Sequence, residues 1–95
     1  MKYVMQLCEG RHPTPEKVGG IYPRNLPEVY MFNERELLDR ANRNIPNDCD
    51  DLWLYVTGLT TAIMAVVTVC IARRISLTTL NYNKKEDRYI PQKVI

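Results

Sequence analysis

The run Leu52-Trp53-Leu54-Tyr55-Val56-Thr57-Gly58-Leu59-Thr60-Thr61-Ala62-Ile63-Met64-Ala65-Val66-Val67-Thr68-Val69-Cys70-Ile71-Ala72 decides the fold. It carries no charge and is bounded by Asp50-Asp51 and Arg73-Arg74. Two readings compete. An uncharged stretch of about 20 residues is long enough to cross about 30 Å of hydrocarbon. As a single-pass helix, residues 52–72 would place the Arg pair and the C-terminus in the cytoplasm. The order of residues within the run favours the other reading. Residues 52–56 are bulky, aromatic and branched, at strand length. Thr57-Gly58-Leu59-Thr60-Thr61 then gathers three hydroxyls and a glycine, and small apolar residues continue at helix length. That pattern suits a buried strand, a tight turn and a buried helix. The chain after Arg74 reads as further sheet, which favours the folded α/β alternative.

Working outward, residues 2–8 (Lys-Tyr-Val-Met-Gln-Leu-Cys) form a predicted first strand, ended by Glu9-Gly10-Arg11-His12-Pro13. Glycine there gives access to positive φ and proline stops regular pairing. Residues 13–32 hold Pro13, Pro15, Gly19, Gly20, Pro23 and Pro27, so they read as an irregular loop with one short extended piece at Gly20-Ile21-Tyr22. Long loops of this kind in small domains are often functional. Asn33 with Glu36 three residues on has capping-box spacing, which predicts a helix over 34–44. Leu37, Leu38, Ala41 and Ile45 give that helix its apolar stripe, and Pro46-Asn47-Asp48 ends it.

The second strand, residues 52–56, is hydrophobic on both faces, as in a central strand with helices covering the sheet. A second helix reaches Arg74, with Thr60 or Thr61 as its cap. Its wide apolar face is read as Ile63, Val66, Val67, Cys70 and Ile71, while Ala62, Ala65 and Ala72 permit close packing and the Arg pair complements its C-terminal dipole. Such a helix is more apolar than one buried face needs, so the expectation is a homo-oligomer through residues 60–74, or a membrane. Residues 75–82 and 88–94 read as a β-hairpin around the charged turn 83–87, with Pro91 marking an edge strand. The fold class that results is α/β: one small Rossmann-like domain over residues 1–95, ordered strand, loop, helix, strand, helix, C-terminal hairpin.

Composition narrows the function. Thirteen basic and 11 acidic side chains give a net charge of +2, too little for a protein that coats a nucleic-acid polymer. Three cysteines, Cys8, Cys49 and Cys70, with no CxxC pair, argue against a zinc site or disulfide framework and for a reducing cytoplasm. No signal peptide, metal site or cofactor motif is evident.

In open α/β sheets ligands bind beyond the carboxyl ends of the strands. Two loops are expected there, Glu9-Gly10-Arg11-His12 and Thr57-Gly58-Leu59-Thr60-Thr61. The second opens a helix, where free N–H groups, the dipole and Thr hydroxyls can cradle an anion. Arg11 offers a bidentate contact to phosphate, and Tyr82 a stacking surface. His12 and Glu9 are the candidates for acid–base chemistry. Each has a plainer alternative. The threonine turn also reads as a simple strand-to-helix turn, Arg11 and His12 as surface residues, Cys8 and Cys70 as buried hydrophobes, and Tyr82 with Tyr89 as cross-strand packing. Binding without catalysis is favoured, because no paired carboxylates or nucleophile–base set is evident.

The strand, Thr-Gly-Leu-Thr turn and apolar helix resemble the small Rossmann-like domains associated with CRISPR systems. The sequence is also similar to short phage and mobile-element proteins with Cys-Glu-Gly-Arg-His near the start (residues 8–12) and Tyr-Val-Thr-Gly-Leu-Thr later (residues 55–60). The shared motifs span residues 3–12 and 52–82. This resemblance implies a homodimer that senses or cleaves a cyclic oligonucleotide, such as an anti-defence protein that sequesters a cyclic nucleotide, or a cyclic-nucleotide phosphodiesterase (ring nuclease) if it is an enzyme. The remaining alternatives are the single-pass membrane protein and a non-catalytic oligomeric interaction module.

Overall fold

The computed structural model describes residues 1–10, 13–27, 33–57 and 59–95. Among these, the elements run β1 (Lys2–Cys8), β2 (Gly20–Tyr22), α1 (Glu34–Asn44), β3 (Asp51–Tyr55), α2 (Thr60–Arg73), β4 (Ser76–Asn83) and β5 (Arg88–Lys93). The strands form one mixed sheet of order β2-β1-β3-β4-β5, with β5 alone antiparallel to its neighbour. The central strand is β3, and it begins one residue earlier than the apolar run predicted. Val56, just past its end, still donates its N–H to the Leu80 carbonyl at 3.3 Å.

The run 52–72 is therefore divided between a strand, a turn and a helix. Its helical part, α2, has 14 residues and is about 21 Å long at 1.5 Å per residue. No helix among the described residues is long and apolar enough to cross a membrane, which overturns the spanning-helix reading.

Helix α1 forms as its sequence predicts. The Asn33 side chain accepts from the Glu36 N–H at 3.1 Å. The reciprocal half of the capping box is absent, because the Glu36 carboxylate turns to Arg40 at 2.7 Å, one turn along the helix. At the other end the Arg73 guanidinium donates to the Ile45 and Pro46 carbonyls at 3.2 and 2.7 Å. The cation thus stands in the last turn of its own helix, as expected, and also serves the carboxyl end of α1. Arg74 closes α2 in the left-handed region, at φ 57°.

For α2 one expectation fails and another holds in large part. Its N-cap residue is Leu59, and no side chain caps it, so neither Thr60 nor Thr61 has that role. Its buried stripe is Ala62, Ala65, Val66, Val69 and Cys70, while Met64 and Ile71 are 59% and 61% exposed. Val66 and Cys70 of the predicted face are buried and Ile63 and Val67 pack against the core, so of the five residues Ile71 departs from it. Ala62 and Ala65 complete the stripe where α2 packs closely on α1.

The paths β2–α1–β3 and β3–α2–β4 step across the sheet in the same direction. Right-handed connections then put both helices on one face. Leu7, Leu52, Leu54 and Leu77 of the sheet share a single core with Leu37 and Ala41 of α1 and with the α2 stripe. Residues that alternate with them, Trp53 and Tyr55, lie outside that core and on the other face. Helices therefore cover one side of β3, not both. The return from β1 to β2 steps the opposite way, and residues 13–18 cross the second face where a doubly wound sheet would place a helix.

Candidate ligand groove on the second face

Strand register sets the side chains of this face in rows. Gly20, Gln6, Tyr55, Leu80 and Pro91 occupy consecutive partner positions from β2 to β5. One row towards the carboxyl ends of the parallel strands, Tyr82 pairs with Tyr89. The three tyrosines form a cluster. Tyr55 meets Tyr89 edge-on with ring centres 4.7 Å apart, and Tyr82 lies 5.4 Å from Tyr89. These are the favoured geometries for aromatic pairs.

The 13–18 segment is fastened to this cluster at two points. The Tyr89 hydroxyl donates to the Pro13 carbonyl at 3.2 Å, and the Tyr55 hydroxyl donates to the Glu16 carboxylate at 3.3 Å. A groove of about 660 Å³ opens beside it, lined by Pro13, Val56, Thr57, Asn81, Tyr82, Asp87 and Tyr89. A second space of about 470 Å³ continues from it past Tyr55, Leu80 and Arg88 and shares Pro13, Tyr82, Asp87 and Tyr89. A third, of about 540 Å³, lies across the strap over Gln6, Glu9 and Gly10, and Pro13 borders it too.

The polar groups of these spaces have distinct roles. Burial, and then Glu16, raises the Tyr55 hydroxyl above its ordinary pKa. The hydrogen bond to Asp87 does the same for Tyr82. Both remain protonated donors at neutral pH. Asp87 is positioned by the hairpin turn at φ 51°, and Asn81 is anchored to the Thr79 hydroxyl at 2.9 Å. The Thr57 hydroxyl and the Gln6 carboxamide oxygen are both buried without a hydrogen-bond partner among the described residues. Gln6 is only 5% exposed, and leaving such a group unsatisfied costs about 1–3 kcal/mol.

Of the residues singled out in the sequence, Thr57 and Tyr82 meet in the groove. Gly10 and Glu9 line the adjoining space across the strap. Thr60 and Thr61 face elsewhere, into a cavity of about 420 Å³ between the two helices that also touches Leu38 and Met64. Thr57 and the Thr60–Thr61 pair thus border separate cavities. Leu59 packs against the core and is not part of the groove lining. Arg11, His12 and Gly58 lie outside the described residues.

Sequence reasoning missed Tyr55, Asn81, Asp87 and the strap. The Tyr82–Tyr89 pair was readable from the hairpin, whereas Tyr55 joins it only through the pairing of β3 with β4.

Cys49 and Cys70 are poor nucleophiles. Burial pushes the Cys70 thiol up to about 11 and raises Cys49 as well. Among the described residues no three His, Cys, Asp or Glu side chains converge as a metal site. Comparison with protein-family models, curated proteins and solved structures gives no match, and the chemistry of the groove rests on its own residues.

Proposed function

We propose that this chain is a Rossmann-like binding protein for a nucleotide, with the base held in the tyrosine groove at the carboxyl ends of β3 and β4. The observation that carries this reading is the groove wall itself. Tyr82 and Tyr89 offer ring faces and edges to a planar ligand, with Asn81, Asp87 and Thr57 beside them to meet its polar edge. Base–aromatic stacking contributes about 1–3 kcal/mol per base and tolerates any base.

The phosphate belongs on the Thr57 side, near the start of α2. No side chain caps the first-turn N–H groups there, and no acidic residue lies among them, so the helix start favours an anion. In the hairpin turn Glu86 pairs with Arg88, and Lys84 and Lys85 leave a net charge of one positive unit against Asp87. Binding without turnover fits side chains that are all hydrogen-bonding or stacking groups. The motifs shared with CRISPR-associated domains make cyclic oligonucleotides the first ligands to try, in keeping with sequestration of a signalling nucleotide during phage–host conflict.

Calorimetric titration with nucleoside monophosphates and cyclic dinucleotides tests the reading. Tyr82 is 52% exposed, so Tyr82→Ala is expected to leave the fold intact and weaken binding at least about fivefold, the lower end of one lost stack. No heat from any nucleotide at millimolar concentration would remove the proposal. Linear products from a cyclic ligand would make the protein an enzyme instead.

A further inference from the structure

Helix α2 leaves one face uncovered, and its ends carry opposite charge. Met64 and Ile71 are the most exposed large apolar side chains of the helix. Between them Thr68 donates its hydroxyl to the Met64 carbonyl at 2.9 Å, which leaves its methyl group outward. No charged residue occurs from Thr60 to Ala72. At the N-terminal end of this stripe Glu34 borders the same cavity as Thr60 and Met64. At the C-terminal end Arg74 borders a hollow with Ile71 and Ile95. Among the described residues neither Glu34 nor Arg74 has an ion-pair partner within its own chain.

We propose that this face binds a second copy of the chain, with the two α2 helices antiparallel about a twofold axis near Thr68. That arrangement is self-complementary. Met64 of one copy packs on Ile71 of the other, and Glu34 of each meets Arg74 of its partner. An isologous contact repeats every interaction twice. A parallel arrangement would instead set Arg74 against Arg74 and Glu34 against Glu34. The opposite charges at the two ends therefore choose the orientation. Opposed helix dipoles favour it as well. A face about 21 Å long buries less than the roughly 1,200–2,000 Å² of a standard interface. The dimer is accordingly weak and concentration-dependent. This contact is independent of the tyrosine groove.

Sedimentation equilibrium of the full chain, from micromolar to millimolar concentration, tests the contact. The wild type is expected to dimerise, and Ile71→Asp or Met64→Asp to abolish dimerisation with unchanged far-UV circular dichroism. Glu34→Arg is expected to weaken self-association several-fold at low salt, and Glu34→Arg with Arg74→Glu on the same chain to restore it. Thr68→Cys is expected to cross-link under mild oxidation, since Cys8, Cys49 and Cys70 are buried. A wild type that stays monomeric throughout would overturn the proposal. So would a dimer indifferent to Ile71→Asp and Met64→Asp. Failure of the reversed pair to restore association would overturn the antiparallel arrangement.

Discussion

The two faces of the sheet are built by different rules. Under the helices, Leu7, Leu52, Leu54 and Leu77 are wholly buried among aliphatic neighbours, and the free energy there is non-directional burial. On the second face the same strands present Gln6, Tyr55, Leu80 and Tyr82, covered only in part by a helix-free strap that two tyrosine hydroxyls hold down. Strand alternation lets one segment, Asp51–Tyr55, serve both. Non-directional burial thus lies mainly on one side of β3, and the hydrogen-bonding and aromatic groups of the proposed site on the other.

The largest expected effect breaks the covered face. Leu54→Ala removes a side chain with no exposure and should cost about 2–5 kcal/mol, read as a lowered midpoint in urea. Tyr82→Ala, on the other face, should shift that midpoint by under about 1 kcal/mol. Equal losses would contradict the division of roles.

A smaller effect tests how closely β2 approaches the end of β1. A Cβ on Gly20 would stand 2.5 Å from the Glu9 backbone nitrogen, which backbone must yield to accommodate. Gly20→Ala should therefore destabilise by about 1–3 kcal/mol, the range of overpacking. No change in the denaturation midpoint would mean that β2 docks more loosely.

Alkaline stability separates the faces by chemistry. Burial holds the proton on Cys70 up to about 11, against an ordinary 9.0. The folded chain thus keeps this proton where the unfolded chain has lost it. Stability from this group is full below the ordinary value and falls as pH rises through it. Tyr55, raised in the same direction, adds its loss from the ordinary tyrosine range upward. Cys70→Ala should flatten the first part of the decline in urea melts, and Tyr55→Phe only the later part. An unchanged slope in Cys70→Ala would contradict the burial of that thiol.

The smallest effect sharpens the role of the strap. Tyr55→Phe removes the contact to Glu16 and should leave global stability within about 1 kcal/mol, yet speed tryptic cleavage after the exposed Lys17. Unchanged cleavage would show that Tyr89 and Pro13 hold the strap without help.

Much of this fold was legible in local sequence. The extents of β1, β2, α1 and the hairpin followed from composition, proline placement and the Asn33 cap. What escaped depends on contacts between elements. The edges of the buried stripe of α2, Val69 inside and Ile71 outside, are selected by packing and could not be read from a helix apolar almost all round. The single covered face follows from the strand order, which no periodicity encodes. For the same reason Thr57 and Tyr82 were identified as groove residues, while Tyr55 was not, and Thr60 and Thr61 border a different cavity. A turn of five residues reads as one unit in sequence, but here its threonines open into separate cavities.

The central claim is that the second face carries the ligand. Titration of cyclic dinucleotides into isotope-labelled protein, followed by amide chemical shifts, tests it most directly. The account expects saturable shifts at Tyr55, Thr57, Asn81, Tyr82 and Tyr89, with Leu37 and Ala41 of α1 unmoved. Shifts centred on Leu38, Thr61 and Met64, or none at millimolar ligand, would contradict it.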